Sequence, residues 1–202
     1  MPASTKRARL DSRENIIEKI MAYIRDHDIE KCSMDDFASA AGISRISLYR
    51  LFGNRNALID ALVSHRSKQF NTLMATRLRD YHNIDDALVY YCTAAATLAA
   101  KDGTIGYFIE SQYVYRAVFG DTMSSIRGHI ERAWLPVIED HFDMDSSCFR
   151  KNSAEITEWI VINQATLARL YIDSGCSLDK LKQLVEDFIL PGLRSKLGLP
   201  VD

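Results

Sequence analysis

Apolar residues recur at helical spacing along most of the chain. Ile16, Ile17, Ile20, Met21 and Ile24 share one face of a 3.6-residue period; Asp11 with Glu14 forms a capping box ahead of them, and the pattern fades near His27. Ser33 with Asp36 repeats the cap signature. Met34, Phe37, Ala38 and Ala41 then form the apolar face of a short second helix that Gly42 stops. Ser44 caps a third short helix with Leu48 and Phe52 on its buried side, and Gly53 ends it. Asn54 opens a long fourth helix carrying Leu58, Ile59, Leu62, Val63, Phe70, Leu73 and Leu78, which breaks at Tyr81-His82-Asn83. Further helices are predicted over 85–100, over the aromatic-rich 104–118, and over 121–142 with a kink at Pro136. Two more follow, over 153–174 from a Ser153 cap to Gly175, and over 177–197 with an interruption at Pro191-Gly192. No stretch alternates with period two, so the fold class is all-α.

Composition changes this picture little. The 202 residues carry a formal net charge of −2, so bulk charge does not mark a nucleic-acid binder. Its distribution says more: residues 1–60 hold ten Lys/Arg against nine Asp/Glu, and the basic residues cluster. Lys6, Arg7, Arg9 and Arg13 lie at the N-terminus; Arg45, Arg50 and Arg55 fall close together. A local basic surface can hold phosphate on an otherwise acidic protein. Residues 1–10 read as a flexible basic arm, either a minor-groove contact or a solvated tail.

The four cysteines, Cys32, Cys92, Cys148 and Cys176, are far apart with no CxxC pair, so neither a metal site nor a cofactor is expected. The polar first fifteen residues predict no signal peptide, and no apolar run approaches the ~20 residues that span a bilayer. A cytoplasmic location, with no membrane partner, is the expectation.

The segment 33–52 has the anatomy of a helix-turn-helix: a short helix ending at Gly42, a tight Gly42-Ile43-Ser44 turn, and a capped helix with a polar outer face. Within it the string Ala-Gly-Ile-Ser-Arg-Ile-Ser-Leu-Tyr-Arg-Leu-Phe-Gly-Asn-Arg-Asn-Ala-Leu-Ile, residues 41–59, carries Tyr49, Phe52, Arg55 and Leu58 at a distinctive spacing. On these residues, 13–63 resembles the N-terminal domain of the TetR/AcrR family of transcriptional regulators. Three positions depart from the family pattern: Ile46 stands where a small residue is common, Leu51 where His or an aromatic is common, and Asp28 where glycine often ends the first helix.

The resemblance implies a DNA-binding domain over 11–60 and a helical ligand-binding and dimerisation domain over 61–202. Arg45 and Ser47 then reach base edges, Arg45 with the geometry to pair with guanine O6 and N7. Tyr49 and Arg50 suit phosphate contacts, Arg50 with reach to a base, and Ser44 sits at the cap between the helices. Arg55 and Ser33 lie at the starts of the fourth and second helices, where free N–H groups also favour phosphate. Outside such a motif, Tyr49 packed on a surface and solvated arginines are the ordinary readings.

The family also implies a homodimer through the last two long helices, 153–174 and 178–197, whose apolar positions include Trp159, Ile162, Leu170, Leu181 and Phe188. Aromatic and polar side chains at Tyr90, Tyr91, Phe108, Gln112, Tyr113, Trp134, Asn163, Gln164 and Tyr171 are candidates for a largely apolar effector pocket, with plain core packing as the alternative. The expected function is a ligand-responsive regulator, by family habit a repressor, that binds a palindromic operator in double-stranded DNA. A regulator without an inducer, a helical enzyme or an interaction protein are the alternatives. The sequence shows no phosphate loop, nucleophile elbow or paired metal ligands, so catalysis is not expected.

Overall fold

Side-chain caps and left-handed glycines set many of the helix boundaries in this computed structural model, which describes residues 3–101, 120 and 122–200, with side chains from residue 13 onward. All regular elements among the described residues are helical. The chain divides into two compact units, 1–65 and 66–202.

The first unit holds α1 (Ala3–Tyr23), α2 (Met34–Ala41), α3 (Arg45–Phe52) and the start of α4 (Arg55–Arg77). Helix α1 begins well before the expected Asp11 cap, so the backbone of 3–10 is helical rather than an irregular arm. The reason lies in composition: Ala3, Lys6, Arg7, Ala8, Arg9 and Leu10 are strong helix formers, and Pro2 is well placed just ahead of a first turn. At its other end α1 stops at Tyr23, short of His27. There the His27 Nδ1–H donates to the Tyr23 carbonyl at 2.8 Å and the two rings stack at 3.9 Å, so a side chain takes the place of the next helical bond.

Ile16, Ile17, Ile20, Phe37, Leu48, Leu58, Ile59 and Leu62 form the core of this unit, each side chain contributing about 1.5–3 kcal/mol by burial. Lys19 Nζ donates to the Ala41 carbonyl at 3.3 Å, placing a positive charge at the negative end of α2. His65 Nε2 lies 2.8 Å from Glu18 Oε1 and ties α4 to α1.

The second unit continues α4 through a short 3₁₀ turn (Leu78–Asp80) into α5 (Ile84–Lys101). It then contains α6 (Thr122–Pro136), α7 (Ser147–Asp173), α8 (Leu178–Leu184) and α9 (Leu190–Leu197). Helix α5 packs along α7. Its buried face is lined by Ala87, Ala94, Ala95, Ala96 and Ala99, small residues that let the two backbones approach. Burial at Cys92 pushes its thiol pKa up to about 12, so that side chain behaves as an inert core group. Gln164 Nε2 donates to the Tyr91 carbonyl at 2.7 Å and pins α7 to α5.

Three boundaries here differ from the sequence expectation. Helix α7 starts at Ser147, not Ser153: Ser146 is its N-cap residue, without a side-chain cap bond, and Asp145 just ahead of it accepts from the Ser147 amide at 2.9 Å. The proline kinks are wide π turns instead of breaks. Val137–His141 follows Pro136, which has no N–H for the carbonyl four residues back. Val185–Ile189 precedes Pro191 in the same way, with the Leu190 amide bonded to the Val185 carbonyl. No helix among the described residues is long and apolar enough to cross a membrane.

Candidate nucleic-acid interface

Helices α2 and α3 are joined by a turn whose backbone only glycine adopts easily. Gly42 has φ 69°, and its amide and that of Ile43 return to Ser39 and Ala38 carbonyls at 3.0 Å. At the start of α2 the capping box is complete: Ser33 Oγ accepts from the Asp36 amide at 3.3 Å, and Asp36 Oδ2 accepts from the Ser33 amide at 2.8 Å. The Ser33 hydroxyl also donates to Asp36, at 2.7 Å, and these bonds hold the Asp36 carboxyl below its ordinary pKa. Ser44 caps α3 by accepting from the Ser47 amide at 3.1 Å, with the two hydroxyls 2.9 Å apart. Each such cap stabilises its helix by about 1 kcal/mol. The two caps fix the starts of two eight-residue helices.

With Leu48 and Phe52 buried, α3 turns Arg45, Ile46, Tyr49 and Arg50 to solvent. Arg50 is exposed and bonds to no described residue. Arg45 Nη1 donates to Asp35 Oδ2 at 2.7 Å, across the turn, and its guanidinium lies 5.4 Å from the centroid of the Tyr49 ring. Arg13 of α1 covers the Phe52 ring at 4.9 Å, so this basic residue serves packing.

Ile46 was not among the residues expected at this surface. It is 80% exposed, an aliphatic group turned to solvent beside Arg45 at the start of α3. The signal was its departure from the small residue usual there. A thymine methyl is the complement of such a side chain in a major groove.

Two of the expected phosphate ligands have other duties. Ser33 is engaged in the capping box, beside two carboxylates, Asp35 and Asp36. Arg55 is half-buried and faces the loop after α1: its Nε donates to the Cys32 carbonyl at 3.2 Å and its Nη2 to the Ile29 carbonyl at 2.5 Å. At the start of α4 the cap is Asn54, whose Oδ1 accepts from the Ala57 amide at 2.9 Å.

The effector candidates scatter. Tyr91 and Trp134 are core residues, 0% and 1% exposed, packed edge to face at 5.3 Å. The Tyr91 hydroxyl donates to buried Asn71 at 2.6 Å, and burial pushes its phenol pKa far up. Gln164 belongs to this cluster through the Tyr91 carbonyl. Asn163 Nδ2 donates to the Trp159 carbonyl at 2.7 Å on the outer side of α7, and Tyr171 is half-buried. Phe108, Gln112 and Tyr113 lie outside the described residues. Tyr90 alone of the candidates lines a described cavity, of about 420 Å³, whose walls include Tyr81, Val89, Ala94, Leu178 and Lys182. A second cleft of about 210 Å³ lies between the far half of α4 (Lys68, Asn71, Thr72, Ala75) and α6 (His129, Arg132, Ala133).

Residues 16–62 match the family model for bacterial regulatory proteins of the tetR family. No curated protein sequence matches the chain. Solved structures do. The TetR family repressor AlkX from Dietzia sp. strain DQ12-45-1b, implicated in biodegradation of n-alkanes, superposes with a TM-score of 0.65 at 18% identity, covering 91% of this chain and 98% of that one. FadR of Bacillus halodurans, a fatty acid degradation regulator, gives 0.55 at 12% identity over 87% and 95% of the two chains. FadR of Bacillus subtilis, solved with stearoyl-CoA, gives 0.54 at 12% identity over 88% and 99%. At these identities the match establishes the shared all-helical fold.

Proposed function

We propose that this chain, whose residues 16–62 match the tetR-family model, is a DNA-binding regulator of that type: a cytoplasmic repressor that binds a palindromic operator as a homodimer and leaves it when a largely apolar small molecule binds the second unit. The observation that carries the DNA half is the surface of α3: Arg45, Ile46, Tyr49 and Arg50 are exposed together on one doubly stopped helix, with donors, a methyl-binding group and a cation in groove-sized array. In a C2 dimer the two copies of α3 read half-sites about 34 Å apart.

The dimer surface is assigned to 153–174 and 178–197. Trp159 and Phe188, 47% and 73% exposed, are large apolar groups on those segments that a partner copy would cover. The effector half rests on the larger cavity, where Tyr81, Val89, Tyr90, Ala94 and Leu178 stand beside the charged Asp86, Lys182 and Glu186, and on the neighbours, one implicated in n-alkane biodegradation and one solved with stearoyl-CoA. A ligand with an aliphatic chain and one or two polar groups fits that combination, and 420 Å³ lies within the usual range for small-molecule sites. The cleft on α4 offers a second place where a ligand would bear on the helix that leads into the DNA-binding unit.

Selection of bound fragments from random double-stranded DNA tests this directly. The expected result is a pseudo-palindrome, bound by two copies and released by alkanes, fatty acids or acyl thioesters at stoichiometric levels. Recovery of a single asymmetric half-site bound by one copy would overturn the reading. In the same assay Arg45→Ala is expected to cost about 1–3 kcal/mol and to relax the preference at one base position.

A further inference from the structure

Helix α2 opens with two neighbouring carboxylates that do different work. Asp36 is fully engaged in the capping box with Ser33. Asp35 makes no cap; its Oδ2 accepts from Arg45 Nη1 at 2.7 Å, ten residues on and across the helix-turn-helix joint. The pair is open to water, with the side chains 57% and 59% exposed, so it adds little to folding stability. A negative charge on the DNA-facing side of the motif also repels phosphate. Its position therefore works against general affinity and adds little stability.

What the contact does is fix a long side chain. Free arginine carries many rotamers, and ordering them on binding reduces affinity. Here one N–H of five is held by Asp35, and the guanidinium lies over the Tyr49 ring, 5.4 Å from its centroid, with a polar interaction to the Tyr49 side chain besides. The donors that Asp35 and Tyr49 leave over at the start of α3 are enough for a bidentate contact to guanine O6 and N7.

We propose that Asp35 is a positioning residue for base recognition: it holds Arg45 in its reading rotamer, trading general DNA affinity for discrimination at one base pair. This rests on Arg45 being a base reader. Asp35 remains paired with Arg45 in the complex, which lessens the repulsion between its carboxylate and the phosphates without removing it. A merely electrostatic or structural role makes a different forecast, since removing the charge would then raise affinity for every sequence alike.

The test is a base-preference matrix, measured on the selected operator and on a scrambled duplex, for the wild type, Asp35→Ala, Asp35→Asn, Arg45→Ala and the double Asp35→Ala/Arg45→Ala variant. The full chain is used, and thermal unfolding of each variant shows that the fold is kept. Asp35→Ala is expected to bind the scrambled duplex as well as or better than wild type, and to lose on the order of 3- to 10-fold of discrimination at the position that Arg45→Ala also relaxes. Asp35→Asn, which keeps an acceptor, is expected to recover part of it. The double variant is expected to match Arg45→Ala, because the clamp has nothing left to hold.

An unchanged matrix in Asp35→Ala beside a relaxed one in Arg45→Ala overturns the clamp and leaves the base-reading assignment standing. A matrix unchanged in Arg45→Ala overturns both. Altered preference in Asp35→Ala at a different base pair makes Asp35 a direct reader and also overturns the clamp.

Discussion

Arg55 shows how one side chain can serve two purposes that a single substitution confounds. Its guanidinium bridges the Ile29 and Cys32 carbonyls, the last turn of the loop that delivers Ser33 to its capping position. Charged donors to buried or half-buried carbonyls contribute about 1.5–3 kcal/mol each at most, so Arg55→Ala is expected to lower the unfolding midpoint as well as operator affinity. Arg55→Lys separates the two effects. A point charge near the start of α4 keeps any phosphate attraction, and one ammonium does not reproduce the fork between two carbonyls. Calorimetry is expected to show Lys closer to Ala in stability, and binding titrations at several salt concentrations to show it closer to Arg in affinity. Ile46 presents the reverse case. At 80% exposure Ile46→Ala leaves stability within about 0.5 kcal/mol, yet it is expected to weaken the selected operator and to erase a thymine preference next to the Arg45 position. Unchanged thymine preference would make Ile46 a bystander.

At the scale of elements, the last helix carries a prediction in its final residue. Gly198 stops α9 at φ 73°, and a Cβ there would lie 2.9 Å from Cys148 Sγ at the head of α7. Gly198→Ala is expected to cost more than the roughly 1–2 kcal/mol of left-handed strain alone. Adding Cys148→Ala is expected to return only the clash portion, as chemical denaturation of the single and double variants would show. Such stops were legible in the sequence because they are local: Ser33 with Asp36, Gly42, Ser44 and Gly53 are set by neighbours within four residues. The all-helical fold followed from the same periodicity.

What was not legible depended on contacts made elsewhere. The start of α7 was hidden because the turn ahead of it is held by Asp145, which accepts from both the amide and the hydroxyl of Ser147, and the helix runs through Ser153. Tyr91 and Trp134 have the spacing of pocket and core residues alike, and only packing against each other and Asn71 shows them to be core. The Asp35–Arg45 pair spans a turn, and no helical period relates its partners.

For the whole molecule, assembly and switching are the properties the proposed repressor needs. Phe188→Asp places a charge in the surface assigned to the partner copy, without touching the unit's own core, since Phe188 is 73% exposed. Sedimentation is expected to show monomers at concentrations where the wild type dimerises, with operator affinity falling and unfolding little changed; a dimeric variant would move the interface elsewhere. Switching is assigned to α4, one continuous helix that crosses from the first unit into the second. A ligand shifts such an equilibrium only by its differential affinity, about 5.5 kcal/mol to go from 1:99 to 99:1. A disulfide engineered between the α4 and α6 walls of the 210 Å³ cleft, formed with the protein on DNA, is expected to abolish release. Continued release with that crosslink intact and ligand bound would exclude α4 as the switch.

The chain has two tryptophans, and the fold has put them in opposite surroundings. Trp134 is sealed at 1% exposure with the Tyr91 ring set on edge against it; Trp159 stands 47% in water on the assigned partner surface. The molecule thus carries its own pair of optical reporters. Emission from Trp134 is expected to fall at shorter wavelength, to be shielded from iodide, and to respond to a rearrangement of the second unit's core around it. Emission from Trp159 falls at longer wavelength, is open to iodide, and shifts to the blue when another surface closes over it. Titrating DNA, candidate effectors and protein concentration against these two bands follows assembly and core rearrangement separately in one unlabelled sample.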